Sequence, residues 1–303
     1  MAAGNPLDPA HLIEHVQDAY YFEVPRWFTG DSPQPPPGLE GVPRDQLIGK
    51  IFIPQPFGRL TSLHGGEGFL ISKFMLLEVV AALLLLAVFV PLARKVRDGK
   101  PVRGRLANLL EAILVFIRDN VARPAIGKHD ADRFLPFLWT LFFFILFCNL
   151  LGLVPWLGTV TGALGATAAL AVISFLCVVG SGMKQLGVVG FWRSQVPHMD
   201  LHPAMGMFLV PMIFALEVIG LLIKHCVLSI RLMANMLGGH VVLGVFLAFI
   251  AMLAGEALWY VVAPASVLAS VAMSLLELFV AFLQAYVFTM LTSLFIGIAV
   301  HPH

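Results

Sequence analysis

Apolar residues fall along this chain in long unbroken runs rather than in the narrow stripes of a water-soluble domain. Runs of about 20 or more apolar residues are long enough, as helices, to cross a hydrocarbon layer of roughly 30 Å. The pattern predicts spans over residues 69–93, 134–157, 163–183, 203–255 and 264–300. Between Phe134 and Met183 no charged residue or histidine occurs, but Pro155, Gly158, Gly162 and Gly165 interrupt the run, so two spans joined by a short turn fit it. Leu106, Leu109, Leu110, Ile113, Phe116, Ile117 and Val121 recur at helical spacing with Glu111, Arg118 and Asp119 turned elsewhere, which predicts an amphipathic helix over about 106–125 lying on a membrane interface. The fold class expected is an all-α polytopic membrane protein with five transmembrane helices and one interfacial helix, the last two helices long and strongly tilted. A helix of about 50 residues is about 75 Å long. The penultimate one must therefore tilt, bend or break near Gly238-Gly239.

Residues 1–68 differ: they are polar, acidic on balance and broken by Pro33, Pro35, Pro36 and Pro37, with a short helix expected after Asp8-Pro9. They are read as a non-cytoplasmic polar region ahead of a membrane domain over 69–303. No basic run followed by an apolar core and a small-residue cleavage site opens the chain, so no removable signal peptide is expected. Ten of the 19 Lys and Arg residues lie between Arg94 and Arg133. That concentration belongs on the cytoplasmic side and puts the N-terminal region outside and the C-terminus inside.

Composition supports the membrane reading: 59% of the 303 residues are hydrophobic and 12% charged, against about 45–50% and 25% in soluble domains. A net charge of +1 gives no reason to expect nucleic acid. Cys148, Cys177 and Cys226 all sit in apolar segments, as small buried side chains rather than a disulfide framework. The run His11-Leu12-Ile13-Glu14-His15 fits the H-x-x-E-H zinc pattern. Five residues without a supporting motif are better read as an exposed amphipathic helix, so no metal and no cofactor are expected. The chain carries no phosphate-binding glycine loop and no nucleophile elbow, so it is not expected to bind nucleotide.

The chemistry is concentrated in sparse ionisable groups after Ser194. Lys224 and Arg231 are the only Lys or Arg there, and Asp200, Glu217, Glu256 and Glu277 the only acids. An ionised group at the membrane centre costs at least about 2.5–3.5 kcal/mol, so those that persist face a polar cavity or a partner. Arg231 is the sharpest case, because guanidinium does not escape by losing its proton. Glu217, the nearest acid in sequence, is 14 positions away, which directs attention to a partner on another chain; a structural ion pair within the bundle is the plainer alternative. At about 100° per residue, Glu217, Lys224 and Arg231 drift only about 40° around a helix, with Asn235 one turn on, whereas His240 falls about 180° from Arg231. A continuous helix then carries two separated polar faces. Glu277 and Gln284, seven apart, share a face of the last helix. Glu277 and His240 can relay protons or serve as ordinary buried hydrogen-bonding groups. Glu217 and Lys224 can also contact each other or snorkel to an interface. Glu256, near Trp259 and Tyr260, reads as a solvated acid at an outer turn.

These residues carry a resemblance. Ser229 to His240, SIRLMANMLGGH, closely resembles the signature R-L-x-A-N-M-x-x-G-H of ATP synthase subunit a; Glu277 to Phe288, ELFVAFLQAYVF, resembles its last-helix signature; Asn149 to Pro155, NLLGLVP, resembles an earlier helix segment. Block order and spacing agree, and the hydropathy profile matches over about 69–300. The resemblance implies a non-catalytic, proton-translocating subunit of a rotary ATP synthase, multi-pass in a bacterial inner membrane or an energy-transducing organelle membrane. Its implied partners are the ring of small carboxylate-bearing subunits (the c-ring), the peripheral stalk subunit b and the bilayer. Arg231 would meet each ring carboxylate and block direct leakage, while Asn149, Glu217, Asn235, His240, Glu277 and Gln284 would line two offset half-channels. In some bacterial members the acid and histidine at the His240 and Glu277 positions are exchanged. An ion-coupled secondary transporter is the rival reading; it predicts inverted repeats, which the sequence does not show.

Overall fold

The structure, a computed structural model, describes residues 18–24, 47–62, 65–97, 104–154, 157–194 and 203–301. The expected helix after Asp8-Pro9 and the His11–His15 run lie outside these residues.

The sequence reading named no strand, yet the polar region before the membrane forms two small antiparallel ladders. Tyr21–Glu23 (β1) pairs with Lys50–Phe52 (β2), and Gly58–Ser62 (β3) with Gly65–Gly68 (β4). In the first, Tyr21 sits opposite Phe52 with ring centroids 5.7 Å apart, and Lys50 Nζ lies 4.3 Å from the Tyr21 centroid. Aromatic cross-strand pairs of this kind stabilise short ladders.

The helices follow from the apolar runs: Lys73–Arg97 (α1), Arg105–Phe116 (α2), Arg123–Ile126 (α3), Ala131–Gly152 (α4), Leu164–Leu186 (α5), Val188–Ser194 (α6), Pro203–Met252 (α7) and Trp259–Val300 (α8). Five of them, α1, α4, α5, α7 and α8, are long and apolar enough to cross a membrane. The chain is thus a multi-pass, all-α membrane protein. α1 ends on Arg94, Lys95 and Arg97, cations that suit the negative end of the helix dipole. α5 ends at Gly187, whose φ of 76° is the left-handed geometry that closes a helix without a Cβ penalty. α7 runs through Gly238-Gly239 without interruption over 50 residues, which removes a break from the ways such a helix can be accommodated.

Between α2 and α3, Ile117–Ala122 widen into a π-helical turn. Pro124 supplies the reason: it has no N–H to donate to the carbonyl four residues back and its ring crowds that carbonyl. Asp119 holds the turn together, accepting from Arg118 Nε at 2.9 Å and Arg123 Nη1 at 2.8 Å. The Arg118 hydrogen bond holds the Asp119 carboxyl below its usual range. On the apolar face Leu110, Ile117 and Val121 are buried, while Leu106 and Leu109 stay exposed, as suits a helix with one flank on protein and one on lipid.

The chain forms two compact units: residues 1–84, 146–163 and 233–282 in the first, and 85–145, 164–232 and 283–303 in the second. In the first, Gln55 clamps the approach to α1, donating from Nε2 to the Ile71 carbonyl at 2.8 Å and accepting from the Ile71 N–H at 2.7 Å. Asp18 accepts the Phe74 N–H at 3.3 Å, one of the otherwise orphaned donors of the first turn. In the second, the helices are pinned by hydroxyls: Ser174 to Thr292 at 2.8 Å, Ser229 to Thr167 at 3.1 Å, and Ser293 Oγ to the Val121 carbonyl at 3.4 Å. Trp139 Nε1 donates to the Leu114 carbonyl at 3.1 Å and ties α4 to α2.

Gly297 of α8 meets the Ala125 carbonyl so closely that a Cβ would strike backbone atoms, whereas a Cβ at Gly180 would enter open space. Gly297→Ala should therefore cost about 1–3 kcal/mol through overpacking, lowering the melting temperature of the chain in detergent. Gly180→Ala should leave it unchanged or raise it. Equal melting points for the two variants would contradict the packing of α8 against Ala125.

Candidate functional site

The ionisable and amide side chains singled out by the sequence fall into two sets, one in each unit. Each is built on the long helices α7 and α8.

In the second unit, α7 carries Glu217, Lys224 and Arg231 on its exposed surface. The regular helix keeps the seven-residue spacing on one face, as expected from 3.6 residues per turn. Among the described residues Arg231 forms no ion pair and no side-chain hydrogen bond with an acid of its own chain. Lys224 Nζ lies 5.9 Å from the Phe295 ring centroid. Glu217 and Lys224 line a shallow cleft with Leu221, Phe191 and Phe295. Gln284 is buried, and its Nε2 reaches the Leu232 carbonyl at 3.5 Å while its Oε1 has no protein partner. Gln284 is thereby anchored to the backbone of the residue that follows Arg231.

The first unit holds Asn149, Asn235, His240 and Glu277. Asn235 is exposed and His240 half-buried, its Nε2 enclosed without a protein partner. Glu277 is 5% exposed. Its carboxylate packs against Gly239, where a Cβ would collide with it. Sequence periodicity left open whether His240 and Glu277 meet. The structure puts Glu277 against the residue preceding His240 and shows no direct hydrogen bond between the two side chains. Asn149 is fully buried and donates from Nδ2 to the Ala281 carbonyl at 3.0 Å, one turn beyond Glu277. Asn149 Oδ1, Glu277 Oε1, and the hydroxyls of Thr159 and Thr161 are buried without protein partners. Such atoms are costly unless water or another ligand reaches them. Glu256 is exposed in the turn between α7 and α8, where the Trp259 and Tyr260 rings stack edge-on 5.5 Å apart.

Sequence reasoning passed over three ionisable groups, two buried and one, Glu78, half-buried. His225 is 2% exposed, with Nδ1 2.9 Å from the Leu221 carbonyl and its ring between those of Phe175 and Phe295. Lys73 and Glu78 lie inside the first apolar run, and Lys73 is 5% exposed. The signal that picked out Arg231, a charged residue within a span, was available for both. Among the described residues no cluster of histidine, cysteine or carboxylate side chains has the arrangement of a metal site.

The sequence profile of the ATP synthase A chain family matches residues 75–297. A protein called ATP synthase subunit a from Myxococcus xanthus is 42% identical over 236 residues, covering 77% of this chain and 75% of its own length. Its namesake from Chloroherpeton thalassium is 40% identical over 84% of this chain and 74% of the relative. That from Chlorobium phaeobacteroides is 34% identical over 98% and 85%.

A Cβ at Gly239 would meet the end of the Glu277 side chain, which must shift to admit it, whereas Gly238 faces open space. Gly239→Ala should destabilise the chain by less than the about 1–3 kcal/mol of a rigid overpacked site, because the Glu277 side chain can swing aside. Gly238→Ala should be neutral or slightly stabilising. Thermal midpoints in detergent measure both, and a Gly239→Ala midpoint above that of Gly238→Ala would contradict the contact with Glu277.

Proposed function

Because the chain belongs to the ATP synthase subunit a family, the non-catalytic membrane subunits of a rotary complex, we propose that it conducts protons through two offset half-channels and couples their passage to rotation of a c-ring. The observation that supports this most is Arg231 on the exposed surface of α7, without an acid of its own chain among the described residues to neutralise it. A fixed cation within a membrane needs a counter-charge, and the carboxylate of a passing ring subunit supplies one.

The physics is that of a carboxyl moving between two environments. Facing lipid it stays protonated, because the charged form is strongly disfavoured there; beside Arg231 the ionised form gains a counter-charge and the proton leaves. Past the arginine the carboxyl takes up a proton from the other half-channel and re-enters lipid. The membrane potential adds about 2.3 kcal/mol per charge per 100 mV and gives the rotation a direction.

In this reading the basic segment after α1 is cytoplasmic and the region before α1 lies outside, as the asymmetry of Lys and Arg directs. Asn149, Asn235, His240 and Glu277, in the unit that contains the N-terminal region, serve the outer route. Glu217 and Gln284, in the unit that contains the basic segment, serve the inner one. The buried acceptor atoms of Asn149, Glu277 and Gln284 fit hydrogen-bonded water along these routes. Peripheral stalk subunit b and surrounding lipid take up the remaining apolar faces.

Arg231→Ala removes the counter-charge. Ionising a ring carboxylate then costs at least about 2.5–3.5 kcal/mol more, so ATP-driven proton pumping in vesicles should fall by roughly 100-fold. Pumping that stays coupled and near wild-type rates would overturn the reading.

A further inference from the structure

Three helices of the second unit enclose a cavity of about 690 Å³ that lies apart from the groups assigned to the proton route. Its volume is within the roughly 300–1,000 Å³ of ligand pockets. α1 contributes Leu85, Phe89, Leu92 and Val96, steps of four, three and four that keep to one side of a helix. The second wall is Glu111 and Leu114 of α2 with Arg118 of the π-helical turn that continues it, and the third is Trp139 and Phe143 of α4. Two contacts brace these walls: the Phe89 and Phe143 rings lie 4.6 Å apart, and Trp139 Nε1 donates to the Leu114 carbonyl at 3.1 Å. The cavity is thus a gap between tied helices.

The wall says what can fill it. The Trp139 N–H is committed to Leu114, and the Thr140 hydroxyl donates to the Pro136 carbonyl at 2.7 Å. Around them the wall is aliphatic or aromatic, so water finds few partners and an apolar chain fits. Along α1 the lining runs from Leu85 to Arg97, about 18 Å at 1.5 Å per residue. That is close to one leaflet, half of a hydrocarbon layer of roughly 30 Å.

The charged members of the lining stand where such a chain leaves the hydrocarbon. Arg97 closes α1 in a turn that also holds Arg94 and Lys95, while Glu111 and Arg118 belong to the interfacial segment. Among the described residues Arg97 and Glu111 form no ion pair. Arg118 gives Asp119 its Nε and Nη2 and keeps Nη1 out of that pair. Clustered Lys and Arg at the end of a membrane helix attract anionic lipid, and a basic pocket between helices holds its phosphate. Ionised Glu111 only accepts hydrogen bonds, which suits a headgroup that also carries hydroxyls.

We propose that this cavity holds an acyl chain of one tightly bound anionic phospholipid, with the phosphate at Arg97 and Arg118 and headgroup hydroxyls at Glu111. The lipid joins α1, α4 and the interfacial helix at the membrane face that carries the basic segment. The inference goes beyond the proton-conducting reading and does not depend on it, since it requires only the membrane-spanning fold and the cavity.

The test uses the complete ATP synthase in maltoside detergent. Phosphatidylglycerol with a photoreactive diazirine on its acyl chain is irradiated with the complex, labelled peptides are mapped by mass spectrometry, and co-purification of the ring subunit reports assembly. Label should collect on residues 85–97 and 136–143, yield to unlabelled phosphatidylglycerol, and resist phosphatidylcholine and inorganic phosphate. Arg97→Gln should weaken labelling roughly 10-fold, the low end for losing a hydrogen bond between charged groups, and Arg97→Lys should restore part of it. Val115→Trp, at a lining position 40% exposed, should fill the cavity and abolish the label. Where that variant fails to assemble, Arg97→Gln carries the same decision, because Arg97 is exposed and its loss leaves the packing intact. Label spread evenly over the exposed faces of the spans, or competition by phosphatidylcholine equal to that by phosphatidylglycerol, overturns the proposal. A benzophenone amino acid in place of Leu92, irradiated in native membranes, captures the occupant without added lipid. A phospholipid adduct is expected there, and a cross-link to stalk subunit b in its place overturns the proposal as well.

Discussion

A guanidinium that keeps its charge in a medium that disfavours charge is the constraint on which the rest of this molecule turns. Lysine, histidine and the carboxylic acids can become neutral when buried; arginine does not. Arg231 therefore has to be offered a counter-charge or a polar surface, and its own chain offers no acid to it among the described residues. For the role proposed for Arg231, a buried internal salt bridge would solve the solvation problem and remove the function, because an arginine locked to a resident carboxylate has nothing left for a passing one. The attraction must also stay moderate. Desolvation of both ions opposes it, and a trap much deeper than the roughly 2.3 kcal/mol per 100 mV available to each proton would hold the ring in place.

Within each unit the helices satisfy polar side chains only halfway. Asn149 and Gln284 each turn an NH₂ to a helix carbonyl, at Ala281 and Leu232. Chemistry fixes that orientation, since a carbonyl accepts and never donates. Each amide is anchored by its donor end and leaves its oxygen buried and unpartnered. Glu277 follows the same rule with a carboxylate oxygen, and its position depends on Gly239 having no side chain. Fully satisfied networks are rigid. Groups bonded on one side and open on the other are fixed in space yet still able to exchange a proton with water.

The sequence disclosed the helices readily, because uninterrupted apolar runs have few other solutions in a membrane, where every backbone group must be bonded within the element. It disclosed Arg231, Glu217 and Glu277 for the same reason: charges stand out against an apolar background. Lys73 and Glu78 are charges too, but they sit near the start of the first apolar run, where a charge is less costly and so less conspicuous than one deep in a span. His225 was obscured by its neighbour Lys224, although its two flanking rings make it the better buried of the pair. The short ladders at β1 to β4 left little pattern, being three to five residues long and rich in glycine where β3 meets β4. Length called for a tilt, a bend or a break near Gly238-Gly239, and a break there would suit two residues that each cost a helix about 1 kcal/mol against alanine. Tertiary packing overrides that preference here, since one of the two glycines makes room for a carboxylate.

The separation of His240 from Glu277 carries the last step. A direct imidazole–carboxylate bond would hold both groups in one protonation arrangement and move a proton only between themselves. In this structure His240 Nε2 and Glu277 Oε1 are each enclosed without a protein partner, while Gly239 brings the carboxylate up to the backbone beside His240. Bound water between such groups can accept from one and donate to the other, at little entropic cost when it makes several hydrogen bonds. If these groups form the proposed relay, an exchange of acid and histidine between the two positions would have a physical basis. A relay carried by intervening water needs a titratable group on each helix and is indifferent to which helix bears the carboxyl and which the imidazole.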